Sequence, residues 1–318
     1  MSPHDTAAPN PAPASATVPP LVVGIGESLF DLLPGGPVLG GAPINVAVHV
    51  QQLFDLLSND GGRAAIATRV GRDDLGSRFL AEVGDRGLDI AAVQCDESRP
   101  TGTAVIELVD GEPTFAITED SAWDRVDFDA TWQTLAARAR AVCFGTLGRR
   151  TAAAGRAIEA FLTAASQAVR VFDVNLRAPF YSAGSIRSGC RLATILKLNE
   201  SELPLVAAML GLPAAPATDQ IETLRRHERL EAVVLTRGIE GSCLATAAGI
   251  TASKACRFPP RPDADSVGAG DAFAAAVIVG RLLDWPAANI LDVASRVSGF
   301  VASQPGATPR LPRDLLAS

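Results

Sequence analysis

The 318-residue sequence predicts an α/β fold built around a mainly parallel β-sheet. Strand-like apolar runs alternate with helical patterns along most of the chain, which is typical of βαβ units. Hydrophobic residues make up 47% of the chain, enough for a large core. A chain of this length accommodates either two domains or one large α/β domain.

The alternation begins at residue 21, where the strand-like run "LVVGIGES" precedes the apolar helix "APINVAVHVQQL". A second strand and helix follow as "AAIATRVG" and "SRFLAEVGDRGLD". Four more buried strands are predicted, each leading to polar or glycine residues: "RAVCFGTL", "VRVFDVN", "ATILKLN" and "EAVVLTRG". Two helices end the pattern, "DAFAAAVIVGRLL" and "LDVASRVSGFVASQ".

One segment departs from this alternation. Residues 102–118, "GTAVIELVDGEPTFAIT", alternate between apolar and polar side chains around the turn dipeptide Asp110-Gly111, which predicts a hairpin. The hairpin lacks a crossover helix, so we expect a small antiparallel lid formed by about 29–39 and 97–120. We interpret the Pro- and Ala-rich residues 1–20 as a disordered tail, and 21–318 as one domain.

Composition limits the classes of partner. The net charge of −7 argues against general binding to nucleic acid or to an anionic membrane. No apolar run reaches the roughly 18 residues of a membrane helix, and the N-terminus lacks the pattern of a signal peptide. The five scattered cysteines form no C-x-x-C pair, so we expect reduced thiols in a cytoplasmic protein and no zinc site.

Polar residues gather directly after the predicted strands. In a parallel sheet such residues meet at the carboxyl edge, where ligands bind. The sequence therefore predicts a binding site at this edge, formed by Glu27, Asp31, Asp173, Asn175, Asn199, Glu202, Thr236 and Gly238.

The stretch Gly268-Ala269-Gly270-Asp271 places an acid at a predicted helix N-terminus whose backbone N–H groups are not covered by large side chains. Backbone N–H groups at such a start, together with the helix dipole, bind an anion, and a neighbouring carboxylate can accept a proton from an attacking hydroxyl. Phosphoryl transfer to an alcohol needs both features. The alternative is that Asp271 only caps its own helix.

Two other nucleotide-binding motifs are incomplete in this sequence. "GIGESL" at 24–29 has leucine where a dinucleotide fingerprint has its third glycine, and the acid expected about 20 residues later is missing. The chain also lacks the G-K-[ST] of a Walker loop. A dehydrogenase and a P-loop enzyme are therefore disfavoured.

"DSVGAGDAF" at 265–273 resembles the C-terminal signature of the PfkB, or ribokinase-like, family of sugar kinases. Further stretches are similar to the family's motifs in the family's order: "GGAPINVAV" (40–48), "VGRDDLG" (70–76), "KLNESEL" (197–203), "LTRGIEG" (235–241) and "PGATPRLP" (305–312). The resemblance covers about residues 21–312. It implies a three-layer α/β/α sandwich with a small β-lid and an ATP-dependent sugar kinase.

The resemblance also implies roles for single residues. Asp271 would be the catalytic base, and the amides of Gly268, Ala269 and Gly270 would hold the transferred phosphoryl group. Sugar-binding positions would be Asp31, Gly40, Gly41, Asn45, Asn175 and Arg177, and nucleotide-binding positions Asn199, Glu202, Thr236, Gly238 and Gly241. Glu202 would contact Mg²⁺ through water, and a monovalent cation such as K⁺ would sit near Asp265.

The substrate is predicted less sharply. "FDVNLRAPFY" at 172–181 and the N-terminal "GESLFDLLP" resemble the fructokinase branch, which favours fructose. Gly148 and Arg149 stand where the ribokinase branch carries a glutamate, which argues against ribose. The alternatives are a kinase for 2-keto-3-deoxygluconate, ribose or a nucleoside, or a sugar-binding regulator without catalysis. A homodimer through the lids is expected, because exposed sheet edges need covering.

Two side chains, Arg177 and Trp123, allow two interpretations each. Arg177 either binds a phosphate or substrate carboxylate or pairs with Asp173. Trp123 either lines the sugar pocket or, as we favour, packs in the core. His49 lies on an apolar helix and is interpreted as a core residue.

Overall fold

The computed structural model describes residues 19–57, 62–109 and 112–316. Its strands form a nine-stranded sheet with the order β13-β12-β11-β10-β9-β8-β1-β4-β5. Numbered along the chain, these strands are β1 Leu21–Ile25, β4 Arg63–Gly71, β5 Val93–Asp96, β8 Ala141–Phe144, β9 Val169–Asp173, β10 Ile195–Asn199, β11 Ala232–Thr236, β12 Ser242–Thr246 and β13 Gly249–Ser253. Six strand pairs are parallel, as predicted, and the two pairs that include β12 are antiparallel.

Helices cover both faces of this large sheet. They are α1 Ala42–Leu56, α2 Asp74–Asp85, α3 Ala130–Arg138, α4 Ala152–Ala164, α5 Ala183–Leu192, α6 Glu202–Met209, α7 Ala217–His227, α8 Ala269–Leu282 and α9 Ala287–Val301. One hydrophobic cluster joins α1, α2, α8 and α9 to one face, and a second joins α3 to α7 to the other. Alternating strand residues enter the two clusters, for example Val22 and Val23 of β1, because successive side chains point to opposite faces. This confirms the predicted sandwich.

A second, small sheet stands beside the large one. Its order is β3-β2-β6-β7, from β2 Leu29–Leu33, β3 Gly36–Gly40, β6 Gly102–Val109 and β7 Glu112–Ile117. The hairpins are antiparallel, whereas β2 and β6 run parallel in its centre. The reason is that β2 and β6 are each the first strand of a hairpin, and the two hairpins lie side by side. The predicted turn at 110–111 lies outside the described residues, as do residues 1–18 of the predicted tail.

Several elements were not predicted individually, among them β5, the helices α3 to α7 and the β12–β13 hairpin. The β12–β13 hairpin extends the large sheet beyond β11 as an antiparallel edge. Its sequence, "SCLATAAGITAS", has a short period-two pattern weakened by alanines, which is a poor strand signal.

Trp123 and His49 are both fully buried, which confirms that they are core residues. Burial lowers the pKa of His49 to about 4, although its bond to the Ala307 carbonyl opposes this.

No helix among the described residues is long and apolar enough to span a membrane. All five cysteines are free thiols; Cys143, Cys190 and Cys243 are buried, and Cys95 is exposed.

Candidate active site

The N-terminus of α8 lies at the candidate site and is partly exposed. Gly268 precedes the helix with a φ of +77°, in the left-handed region that favours glycine. A Cβ at this position would also lie 2.2 Å from the carbonyl oxygen of Ala307. No side chain caps the helix among the described residues. The first amides of α8 are therefore left for a ligand.

Asp271 lies in the first turn of α8 and is buried. Its Oδ2 accepts a hydrogen bond of 2.8 Å from Nδ2 of Asn45, a residue of α1 that is 226 positions away. Because Asp271 lies inside the helix and Gly268 occupies the cap position, Asp271 is not an N-cap. The pKa of Asp271 is raised to about 6, mainly by burial and in part by the negative charge of Asp173, while the Asn45 bond limits the rise.

An ion pair lies beneath this carboxylate. Nζ of Lys197 is 2.7 Å from Oδ2 of Asp173, and both side chains are less than one-tenth exposed. The two residues face each other in the register of β10 and β9. Burial alone would lower the pKa of Lys197, but Asp173 and Asp271 raise it, so the amine stays charged. Asp173 is thus paired with Lys197, and the predicted alternative of a pair with Arg177 is wrong.

A cavity of about 550 Å³ opens at the carboxyl edge of the large sheet, on the Asp271 side of α8. We call it the first cavity. The small sheet contributes five of its wall residues, namely Leu29, Asp31, Gly40, Ala104 and Ile117. All six residues expected to bind sugar line it, namely Asp31, Gly40, Gly41, Asn45, Asn175 and Arg177, together with Gly268, Gly270 and Asp271.

Local backbone geometry places several of these groups. Gly41 has a φ of +113° and precedes α1, and a Cβ on Gly40 would lie 2.8 Å from Oδ2 of Asp31. The two glycines therefore let the chain pass close to that carboxylate. Burial raises the pKa of Asp31, and the positive charge of Arg177 opposes this. Asn175 has a φ of +40°, a left-handed conformation that asparagine tolerates better than most residues.

A second cavity of about 430 Å³ lies on the other side of the α8 N-terminus. Thr236, Gly238 and Gly241 line it, as expected for nucleotide-binding positions, and α9 contributes small residues such as Ser298 and Gly299. Ser266 and Gly270 line both cavities. The glycine-rich helix start is therefore the boundary between the two cavities.

Three predicted residues lie outside the lining of these cavities, within the described part of the chain. Oδ1 of Asn199 accepts bonds from the Ser201 and Glu202 amides. The two oxygens of Glu202 accept the amides of Leu176 and Asn199, both at 2.8 Å. These bonds connect the loops that follow β9 and β10.

Asp265 has a similar local role. Its oxygens accept the Val267 amide at 2.9 Å and the Gly306 amide at 3.1 Å, which ties the loop before α8 to the C-terminal segment. No group of three or more His, Cys, Asp or Glu side chains in the described ranges is arranged to hold a metal ion. A divalent cation here would therefore need ligands from a substrate and from water.

Glu27 and Asp173 line the first cavity, as the strand-end pattern predicted, although the family resemblance assigned them no role. Some other lining residues, such as Thr146 and Val267, were not predicted, because they carry no such signal.

Comparison with protein-family models matches residues 37–314 to the pfkB family carbohydrate kinase model. The fructokinase of Escherichia coli is 26% identical over 324 residues, covering 91% of this chain and 95% of that protein.

Solved structures show the same fold. The fructokinase of Xylella fastidiosa with bound ATP has a TM-score of 0.75 at 22% identity, covering 92% of this chain and 95% of that one. The fructokinase of Vibrio cholerae O395, in a form with bound fructose, ADP and calcium ion, has a TM-score of 0.73 at 23% identity, covering 92% and 96%. The fold is thus a ribokinase-like α/β fold, as these neighbours share it over almost their whole length.

Proposed function

Because the chain belongs to the pfkB family of carbohydrate kinases, and is thereby a phosphotransferase with an alcohol group as acceptor, we propose that it transfers the γ-phosphoryl group of ATP to a hydroxyl group of fructose. The observation that carries the proposal is the shared boundary of the two cavities. Gly270 lines both, and Asp271 faces the first. A sugar in the first cavity and ATP in the second would meet at the N-terminus of α8.

The mechanism follows from this arrangement. Asp271 accepts the proton of the attacking sugar hydroxyl, and the amides of Gly268, Ala269 and Gly270 stabilise the charge on the transferred phosphoryl group. The helix dipole adds to that stabilisation. In a loose transition state the hydroxyl loses its proton late, so a carboxylate with a pKa of about 6 is a sufficient base. Closure of the small sheet over the first cavity would exclude water as a competing acceptor.

The charges around the first cavity favour a neutral sugar. Four carboxyl groups line it, from Glu27, Asp31, Asp173 and Asp271, against the guanidinium of Arg177. The Asp173 charge is already balanced by Lys197. Carboxylate oxygens bridge neighbouring hydroxyls well and repel a second acid. Fructose therefore suits this cavity better than 2-keto-3-deoxygluconate, and the fructose-bound Vibrio cholerae relative supports the same choice.

The proposed reaction also involves two cations, Mg²⁺ and K⁺. Mg²⁺ bound together with ATP would supply positive charge where the phosphoryl group moves. Both oxygens of Glu202 already accept backbone amides, so its contribution to the Mg²⁺ shell would pass through a water molecule. We place a K⁺ ion beside Asp265, where it would steady the loop before α8.

A coupled assay of ADP formation across a substrate panel tests the proposed function. The panel contains fructose, ribose, 2-keto-3-deoxygluconate and a nucleoside, each with ATP and Mg²⁺. We expect the highest kcat/KM for fructose. Binding of fructose without turnover would instead identify a regulator, and a preference for the acidic sugar would contradict the charge argument.

We also propose a cytoplasmic homodimer joined through the small sheets. Four of its apolar side chains are exposed, namely Leu32, Leu33, Val38 and Val105. Pairing two such sheets would cover them. Sedimentation of the wild type should give a dimer, and Val38→Lys should give a monomer; a monomeric wild type would contradict the proposal. The cytoplasm supplies ATP and keeps the free thiols reduced.

A further inference from the structure

Glu27 has a carboxyl group at the first cavity, but it has no role in the proposed mechanism. It follows β1 directly and is only 4% exposed, yet it lines the same cavity as Asp31, Asn45 and Asp271. Its Oε2 has no hydrogen-bond partner among the described residues. A buried polar atom without a partner costs free energy, so native proteins usually satisfy it, and here a ligand can do so.

The backbone around Glu27 is shaped to fit this carboxyl group. A Cβ on Gly148 would lie 2.6 Å from the Cα of Gly26, 3.0 Å from the Glu27 nitrogen and 3.1 Å from Oε2. Only a glycine at 148 lets the two loops approach so closely. Gly26 itself has a φ of +145°, which also favours glycine. The Glu27 side chain is therefore held against the cavity wall by two tightly packed glycines.

The charged groups near Glu27 come from two elements. The pKa of Glu27 is raised to about 7, mainly by burial and in part by the Asp271 carboxylate on α8, while the amides of Glu27 and Ala42 and the charge of Arg177 in the loop after β9 limit the rise. A large fraction of the group is therefore protonated near neutral pH. A carboxylic acid both donates and accepts a hydrogen bond, as does a sugar hydroxyl.

We propose that Glu27 is a further sugar-binding residue, whose Oε2 forms a hydrogen bond with a sugar hydroxyl other than the one that is phosphorylated. The inference rests on the proposed function, because it takes the first cavity to be the sugar site. Asp271 serves the reacting hydroxyl, and Glu27 would fix the sugar's orientation from the wall formed by the end of β1.

The test compares fructose binding and turnover in Glu27→Ala, Glu27→Gln and Ser28→Ala. Ser28 is a matched control, because it is the next residue, fully buried and hydrogen-bonded to the Arg69 carbonyl, and lies outside the lining of the first cavity. Glu27→Ala should raise the fructose Kd and KM by about 5- to 150-fold, with the ATP KM changed less than about twofold. Glu27→Gln keeps a donor and an acceptor and should recover most of the loss.

Singly deoxygenated fructose analogues identify the hydroxyl. For the analogue that lacks the contacted group, wild type and Glu27→Ala should bind equally, since the interaction is absent in both. Should Glu27→Ala fail to fold, Glu27→Ser, which also removes the carboxyl group, carries the same comparison. An unchanged fructose Kd in Glu27→Ala or Glu27→Ser, with normal wild-type turnover, overturns this inference alone. A wild type that binds and phosphorylates no sugar overturns the proposed function, and with it the inference.

Discussion

The two cavities that meet at the N-terminus of α8 differ sharply in charge. Five acidic or basic residues line the first, whereas Arg257 is the one such residue lining the second within the described chain. The rest of the second wall is formed mostly by small and apolar residues of α8, α9, the β11–β12 turn and residues 255–260. A polyhydroxy ligand needs fixed polar partners, and a flat base needs a smooth apolar slot. The difference indicates that each cavity is built for one substrate.

What the cavities share is as informative as what separates them. Ser266 and Gly270 belong to both linings, and neither offers a bulky side chain. A Cβ on Gly270 would still be 3.6 Å from Nζ of Lys197, so the glycine leaves open space above the buried ion pair. Binding energy thus comes from the separate cavities, and chemistry from their common edge.

The largest effect is expected at the common edge. Asp271→Asn keeps the size of the side chain but cannot accept the hydroxyl proton, so kcat should fall by about 10²–10⁴-fold. Its melting temperature should stay close to that of the wild type, because Asp271 does not cap α8. Asp284→Asn, exposed just beyond the other end of the same helix, is the control and should keep full activity. Equal kcat in the two variants would make Asp271 a structural residue.

A smaller effect, on the fructose KM alone, is expected for a substitution in the first cavity. Asp31→Ala removes a half-buried carboxylate beside Gly40. The loss should be roughly 1–3 kcal/mol, or about 5- to 150-fold in the fructose KM. Steady-state kinetics should show the ATP KM unchanged within about twofold. A matching rise in both KM values would contradict the division between the cavities.

The pH dependence of turnover reports the protonation state of Asp271. The carboxylate is the active form, so kcat/KM for fructose should fall as pH drops through about 6, by about tenfold at pH 5. Asn45→Ala removes the hydrogen bond that lowers the pKa of Asp271, so the midpoint should move to higher pH. In Glu27→Gln, kcat/KM should still fall at low pH as it does in the wild type. A profile that is flat from pH 5 to 8 would contradict the role of Asp271 as base.

The smallest of these kinetic effects is expected in the second cavity. Ser298→Leu places a branched side chain against the space proposed for the base of ATP. The ATP KM should rise by about tenfold, which corresponds to about 1.4 kcal/mol, with the fructose KM unchanged. Ala288→Leu, exposed on the same helix and outside the lining, controls for helix stability. An unchanged ATP KM in Ser298→Leu would place the nucleotide elsewhere.

Much of the site was predictable because its signals are local in sequence. Gly268, Gly270 and Asp271 lie within four residues, and Asp31, Gly41 and Asn45 lie in or beside short motifs. The mainly parallel large sheet followed in the same way from alternating strands and helices. The β12–β13 hairpin was missed because both strands are short and small residues dilute their few β-branched side chains.

The contacts that tune the site were not predictable, because they join residues that are distant in sequence. Lys197 meets Asp173 only through the register of β10 with β9, and Asn45 reaches Asp271 across 226 residues. The fit of Glu27 against Gly148 depends on two loops packing at one point. A single sequence carries no signal for such packing, since each residue has an ordinary local interpretation.

The most direct test of the central claim is the affinity of Asp271→Asn for each substrate, measured by calorimetry with fructose and, separately, with ATP and Mg²⁺. If the cavities bind and their common edge performs the chemistry, both Kd values should stay within about threefold of wild type while ADP formation is nearly abolished. Loss of fructose or ATP binding in step with turnover would contradict that claim, because Asp271 would then serve binding rather than transfer.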